Sequence, residues 1–211
     1  MKITLLYDNY AWDTRLAPDW GFAALVEVFG RTILFDTGSK GQLLLDNMKL
    51  LEISPQCIDE IFISHDHWDH TGGLSEILEL NPVQVFVPDT ITTVKSAPKT
   101  IPVSRTAKIH ENIYSTGTLK GIEHSMCILQ DGKVVVIAGC SHPGVGAILS
   151  AASEIGPPSA LIGGLHGFSD FQVISTLEMV CATHCTEHIR EINSRFPSAS
   201  IPGGAGKVIE I

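Results

Sequence analysis

Apolar positions along the chain come in short bursts of two different periods. Lys2–Tyr7 reads as a strand, and the apolar runs 25–29 and 32–35 flank Gly30-Arg31, which predicts a hairpin. Over 42–51 the apolar residues change to helical spacing, and Pro55 closes that helix. Ile61-Phe62-Ile63 predicts a short buried strand that runs straight into His65. Thr71-Gly72-Gly73 then opens a helix carried by Leu74, Ile77, Leu78 and Leu80 and ended by Pro82, with a strand over 83–87. Further on, 126–129 and Lys133–Ala138 predict strands around an Asp131-Gly132 turn. A helix over 145–155, strands over 160–162 and 180–183, a helix over 187–196 and a closing strand over 207–211 complete the reading. Strands and helices are mixed throughout, with both hairpins and crossovers, which predicts sheets covered by helices and not an all-β barrel.

With 211 residues the chain is long enough for one core and short for two, so 1–211 is expected to form a single domain. The segment 89–120 differs from its surroundings. It is rich in Thr, Ser and Pro and carries Lys95, Lys99, Arg105, Lys108 and Lys120 against Asp89 and Glu111, and is expected to be a cap-like insertion. Hydrophobic residues make up 44% of the chain and charged residues 18%, as in globular proteins. The net charge of −9 argues against nonspecific nucleic-acid binding, so the expected partner is a small molecule. No apolar stretch approaches the ~20 residues of a membrane span, and Asp8 interrupts the apolar start too early for a signal-peptide core. A cytoplasmic location is therefore expected. The five cysteines form no CxxC pair, and their odd number favours thiols over disulfides.

Polar residues recur directly after strand-like runs, following Phe35, Ile63, Ala138, Ile162 and Ala182. Strand ends are where sites sit in layered α/β proteins. The densest case is His65-Asp66-His67-Trp68-Asp69-His70. His65 and His67, two apart on an extended segment, project to one side and suit a Zn²⁺-like ion. Asp69 and His70 follow where the chain turns into a helix, which re-aims them toward a second position. Nitrogen and carboxylate donors suit Zn, Fe or Mn without choosing among them. His142, His166 and His184 each follow a β-type run and precede a loop or helix, which makes them candidates for the remaining donors. Cys140 and Cys185 read as small buried residues beside them. Trp68 is expected to pack on the helix after it or to cover the site's edge, while Trp12 and Trp20 lie in a loop, 8–22, that would wall a pocket.

The order Asp36 (in Ile33-Leu34-Phe35-Asp36-Thr37-Gly38), the HxHxDH run, His142 and His184 resembles the metallo-β-lactamase superfamily from end to end. That resemblance implies a four-layer αββα sandwich, two mixed sheets flanked by helices. It implies two divalent ions, one held by His65, His67 and His142 and the other by Asp69, His70 and His184, with Asp36 as the acidic residue that supports the site. Tyr7-Asp8-Asn9, Trp20-Gly21-Phe22 and the segments 139–144 and 163–166 are similar to the dihydropterin (ribofuranosyl)aminobenzene phosphate synthase-like branch. One departure stands out: where many members place an Asp that bridges the ions, the nearest residue here is His166, with Asp170 four residues on. His166 is then a ligand, a proton shuttle or a substrate contact.

The chemistry expected of such a site is hydrolysis. A metal lowers the pKa of bound water, and the resulting hydroxide attacks an ester-type centre. Asp69 accepts a hydrogen bond from the nucleophile, and His166 is the first candidate for protonating the leaving group. Two divalent ions, Asp69 and one hydroxide sum to about +2, which favours an anionic substrate, phosphorylated or carboxylated. The helix after His142-Pro143-Gly144 and the Gly203-to-Lys207 run are candidate anion contacts. Two alternatives stand beside the hydrolase: a synthase-like reaction on a pterin precursor, and a di-iron redox protein of the same fold.

Overall fold

The computed structural model describes all residues, 1–211. The chain divides into two compact units, Met1–Pro102 with Gly203–Ile211, and Val103–Pro202.

The first unit is built on a seven-stranded sheet. Its strands are β1 (Lys2–Tyr7), β2 (Ala23–Val28), β3 (Arg31–Phe35), β4 (Glu60–Phe62), β5 (Gln84–Pro88) and β6 (Thr100–Val103), with the C-terminal strand Val208–Glu210 on the far edge beside β1. β1, β2 and β3 pair antiparallel, whereas β3, β4 and β5 run parallel. Parallel neighbours need a crossover. Helix α1 (Gly41–Leu50) supplies it between β3 and β4, and the short α2 (Trp68–Thr71) with α3 (Leu74–Leu80) supplies it between β4 and β5. Alternate strand residues Leu25, Leu34, Ile61, Ile63, Val85 and Val87 form a core with Leu44, Met48, Ile77 and Leu78 from the helices.

The second unit repeats this plan. Its six-stranded sheet comprises β7 (Ala107–His110), β8 (Ile113–Ser115), β9 (Met126–Gln130), β10 (Lys133–Ala138), β11 (Pro158–Gly164) and β12 (Met179–Thr183). β7 to β10 form an antiparallel meander, and β10, β11 and β12 are parallel. Helix α4 (Val145–Ser153) connects β10 to β11, and α5 (Ile189–Arg195) follows β12. Val134, Val136, Leu161 and Val180 pack with Ile148 of α4 and Ile192 of α5. The last strand, Val208–Glu210, is β13 of the chain and belongs to the first sheet.

Three local expectations change. The β2–β3 turn is Phe29-Gly30 and not Gly30-Arg31; both residues have positive φ (50° and 73°), the backbone of a two-residue type I′ hairpin. The helix expected from Thr71 is two helices, because Gly72-Gly73 interrupts it. A Cβ at Gly72 would come within 2.2 Å of the Ser39 carbonyl oxygen, so the interruption lets the chain approach the loop after β3 closely. The segment 89–120, read as cap-like, contributes β6 to an edge of the first sheet and β7 and β8 to the second. No helix is long and apolar enough to cross a membrane.

Candidate metal centre

Two clusters of potential ligands occur, one in each unit, both at the C-terminal ends of parallel strands. Open α/β sheets place their ligand sites at such ends.

The first cluster starts from Asp36, immediately after β3. Its φ is 56°, a left-handed conformation that costs a non-glycine residue energy and turns the side chain out of the ladder. Its N–H donates to Phe62 O at 2.8 Å, continuing the β3–β4 pairing. The fully buried carboxylate accepts three hydrogen bonds: from Ser64 N and Ser64 Oγ, each at 2.7 Å, and from His70 Nδ1 at 2.7 Å. A buried carboxylate is tolerated only when paired in this way. Ser64 Oγ also lies 2.9 Å from His65 Nδ1. Because Ser64 gives its proton to Asp36, its oxygen accepts from His65 Nδ1–H. One carboxylate thereby sets both His65 and His70 as Nδ1–H tautomers, which puts the ligand lone pair of each ring on Nε2.

The remaining members of this cluster follow on the same chain segment. The His65 ring centroid is 4.5 Å from that of His67 and 4.2 Å from that of His70. Asp69 and His70 are buried in the single turn α2, and His67 precedes it as an exposed residue. Asp69 Oδ2 is 3.8 Å from His70 Nε2 and accepts the indole N–H of Trp20 at 2.8 Å. Trp68, the first residue of α2, is 64% exposed. Trp12 and Trp20 are each 50% exposed.

The second cluster lies at the ends of β10, β11 and β12. Ser141, His166 and His184 all have left-handed backbones (φ 60°, 48° and 52°). Glu123, just before β9, is fully buried. Its Oε1 accepts the main-chain N–H groups of Gly139, Cys140 and Ser141 at 3.0, 3.1 and 3.1 Å, and its Oε2 that of His142 at 2.9 Å. Four successive amides thus curl round one carboxylate, an anion nest filled by the protein itself. Ser141 Oγ donates to Gly164 O at 2.7 Å, and Leu165 N donates to Thr186 Oγ1 at 2.9 Å, which link the turns carrying His142, His166 and His184. Cys140 and Cys185 are buried here. Hydrogen bonding from Cys140 draws the Cys185 thiol down to about 6, against the opposing effect of burial.

His166 is exposed, with its ring centroid 5.1 Å from that of His142. The two line a groove of about 290 Å³ with Ser141, Gly144, Val145 and Phe168, at the start of α4. Asp170 is exposed at the start of a 3-10 turn, Phe171–Ile174. The Gly203-to-Lys207 run does not offer the expected anion contacts. The N–H groups of Ala205, Gly206 and Lys207 donate to Tyr10 O, Leu5 O and Gly204 O, and the Lys207 ammonium lies 4.0 Å from the Trp12 ring centroid.

The donors in both clusters, imidazoles, the Asp69 carboxylate and the Cys140 thiol, fit a zinc-like ion. The sequence reading missed three residues that organise them. Ser64 adjoins a histidine without belonging to the motif. Trp20 lies in a family-like stretch and a pocket-wall loop, neither of which points to Asp69. Glu123 had a visible signal in Glu123-His124-Ser125, a polar triplet running directly into an apolar strand and wholly buried.

Comparison with known proteins agrees with this geometry. The family described as "Metallo-beta-lactamase superfamily" matches residues 19–114. The chain is 29% identical to a 7,8-dihydropterin-6-methyl-4-(beta-D-ribofuranosyl)-aminobenzene-5'-phosphate synthase of Methanocaldococcus jannaschii, over 88% of this chain and 87% of that protein. Among solved structures it is similar to Tm1679, a metal-dependent hydrolase of the beta-lactamase superfamily, with TM-score 0.83 and 24% identity over 100% of this chain and 99% of that one. It is also similar to Zn²⁺-bound PqqB from Methylobacterium extorquens, with TM-score 0.69 and 13% identity over 100% of both chains. The fold expected from the sequence is therefore the fold found, and the chain is similar to the metallo-beta-lactamase superfamily in sequence over residues 19–114 and to its solved members in fold over the whole chain.

Proposed function

We propose that this protein is a metal-dependent hydrolase acting on a small anionic ester. In this reading His65, His67 and His142 hold one divalent ion, and Asp69, His70 and His184 hold a second. The observation that carries it is the triple hydrogen bonding of Asp36, which fixes His65 and His70 in the tautomer a metal ligand requires. Zinc is the ion these donors suit best; iron and manganese are compatible with the same set. A bound divalent ion would supply Lewis acidity, bringing a water molecule's pKa toward neutrality and polarising an ester oxygen.

The chain's own residues provide the rest of the chemistry. His166, exposed in the groove beside His142, protonates the leaving group. Asp69, with one oxygen held by Trp20, keeps a negative charge at the place where the attacking group is oriented. The groove at the start of α4 receives the substrate's anionic end, where the helix dipole favours negative charge. Metal-loaded protein should hydrolyse phosphorylated aryl esters faster than neutral ones of the same leaving group. A preference for the neutral esters would overturn the choice of substrate.

A second reading is a synthase-like reaction on a pterin precursor. It is favoured by the 29% identity to the Methanocaldococcus jannaschii synthase over most of both chains. Condensed product from a pterin precursor, without ester hydrolysis, would decide for it.

A further inference from the structure

Asp69 is gripped at both its side chain and its main chain by one tripeptide. The indole Nε1–H of Trp20 donates to Asp69 Oδ2 at 2.8 Å. Two residues on, the N–H of Phe22 donates to the carbonyl oxygen of Asp69 at 3.2 Å. Gly21 lies between them with φ +146°, and a Cβ there would come within 2.7 Å of that same carbonyl oxygen. Only glycine meets both the conformation and the close approach.

The tripeptide is itself anchored. Gly21 N–H donates to Asn9 Oδ1 at 3.1 Å, and Trp20 N–H donates to Asp19 Oδ1 at 2.8 Å. Asp19 pairs with Lys40 at 2.5 Å, and Gly38 N–H donates to Phe22 O at 2.9 Å. The loop therefore has little freedom to release its hold. Asp69 is buried, at 6% exposure, while the ring that reaches it remains half exposed.

We infer that Trp20 is a positioning residue for Asp69. Its indole holds Oδ2, the oxygen that lies 3.8 Å from His70 Nε2, so that the carboxylate is offered in a single orientation to a divalent ion. The inference rests on the metal-binding reading above and deepens it. The terminal torsion of an aspartate is broad and roughly two-fold, so an untethered carboxylate swings between one-oxygen and two-oxygen binding. The indole suits the task because it is a donor only, so it does not compete for the metal. It also carries no titratable charge in the ordinary pH range, so the tether persists where a histidine or lysine donor would change state. Hydrogen-bond partners of metal ligands of this kind typically contribute a factor of about 10–100 in metal affinity.

The test is a zinc competition titration against a chromophoric chelator, comparing wild type with Trp20→Phe and Trp12→Phe. The Trp20→Phe variant keeps the ring and loses the N–H; it should hold its weaker zinc ion about 10–100-fold less tightly. Trp12→Phe, which alters an equally exposed tryptophan, should match wild type. A second measurement does not depend on metal. In the ¹⁵N–¹H spectrum of metal-free protein, Asp69→Asn should shift the Trp20 indole signal, identified by its loss in Trp20→Phe, and leave that of Trp12 in place. Equal zinc affinity in Trp20→Phe and wild type, or a Trp20 indole signal indifferent to Asp69→Asn, overturns the tether. Wild-type protein that binds no zinc would instead overturn the hydrolase reading and this inference with it.

Discussion

The turn after β4 and the turn after β10 both present histidines at the C-terminal end of a parallel strand, and they are held in opposite ways. After β4 the anchor is a side chain acting on side chains: Asp36 reaches His70 directly and His65 through Ser64. After β10 the anchor is a side chain acting on main chain: Glu123 collects four amides, and His142 is positioned because its backbone is. The first device fixes the ring tautomers. The second fixes a loop and leaves the rings to be oriented by their surroundings. Loss of the first anchor should therefore damage metal binding most, and loss of the second should damage the fold most.

Glu123→Ala should have the largest effect. It strands four N–H groups, three of them buried, and a buried one costs about 1–3 kcal/mol when unsatisfied. Set against a total stability of about 5–15 kcal/mol, that loss is severe. The melting temperature should fall on the order of 10 °C or more by calorimetry. A melting temperature within about 2 °C of wild type would remove Glu123 as the anchor. Asp36→Asn comes next: it swaps an acceptor for an amide donor facing His70 and Ser64. Zinc affinity should drop about 10–100-fold by chelator competition, with a smaller loss of stability than in Glu123→Ala. An Asp36→Asn protein that binds zinc like wild type would undo the tautomer argument.

His166→Gln tests chemistry apart from construction. It should lower kcat on the order of 100-fold while metal content stays unchanged; loss of metal instead would make His166 a ligand. The smallest effect belongs to Trp68→Phe. With 64% of that residue exposed, unfolding in urea should change by no more than about 0.5 kcal/mol. A larger change would mean that Trp68 packs on something after all.

The same contrast explains what was legible in the sequence. The first cluster is local: His65, His67, Asp69 and His70 fall within six residues, so the spacing alone announces it. Asp36 was legible because it ends a strand in a motif that resembles a family pattern. The parallel strands were readable as short apolar bursts, and Lys2–Tyr7 and Lys133–Ala138 have the bounds expected of them. Glu123 was visible only as part of a polar triplet before an apolar strand, and its role was not legible, because main-chain hydrogen bonds leave no preference at the positions that donate them. Trp20 was quoted within a motif, yet its contact spans 49 residues and depends on a glycine backbone that spacing does not reveal. β6 to β8 escaped because short edge strands of mixed polarity carry little periodicity; β7 has no fully buried residue.

The proposed ligand assignment is tested most directly by metal analysis of protein purified without added metal. Wild type, His70→Ala and His142→Ala should be measured side by side. The account expects about two ions per wild-type chain, with each variant deficient. A metal-free wild-type protein, or a His142→Ala variant with its full complement, would contradict it.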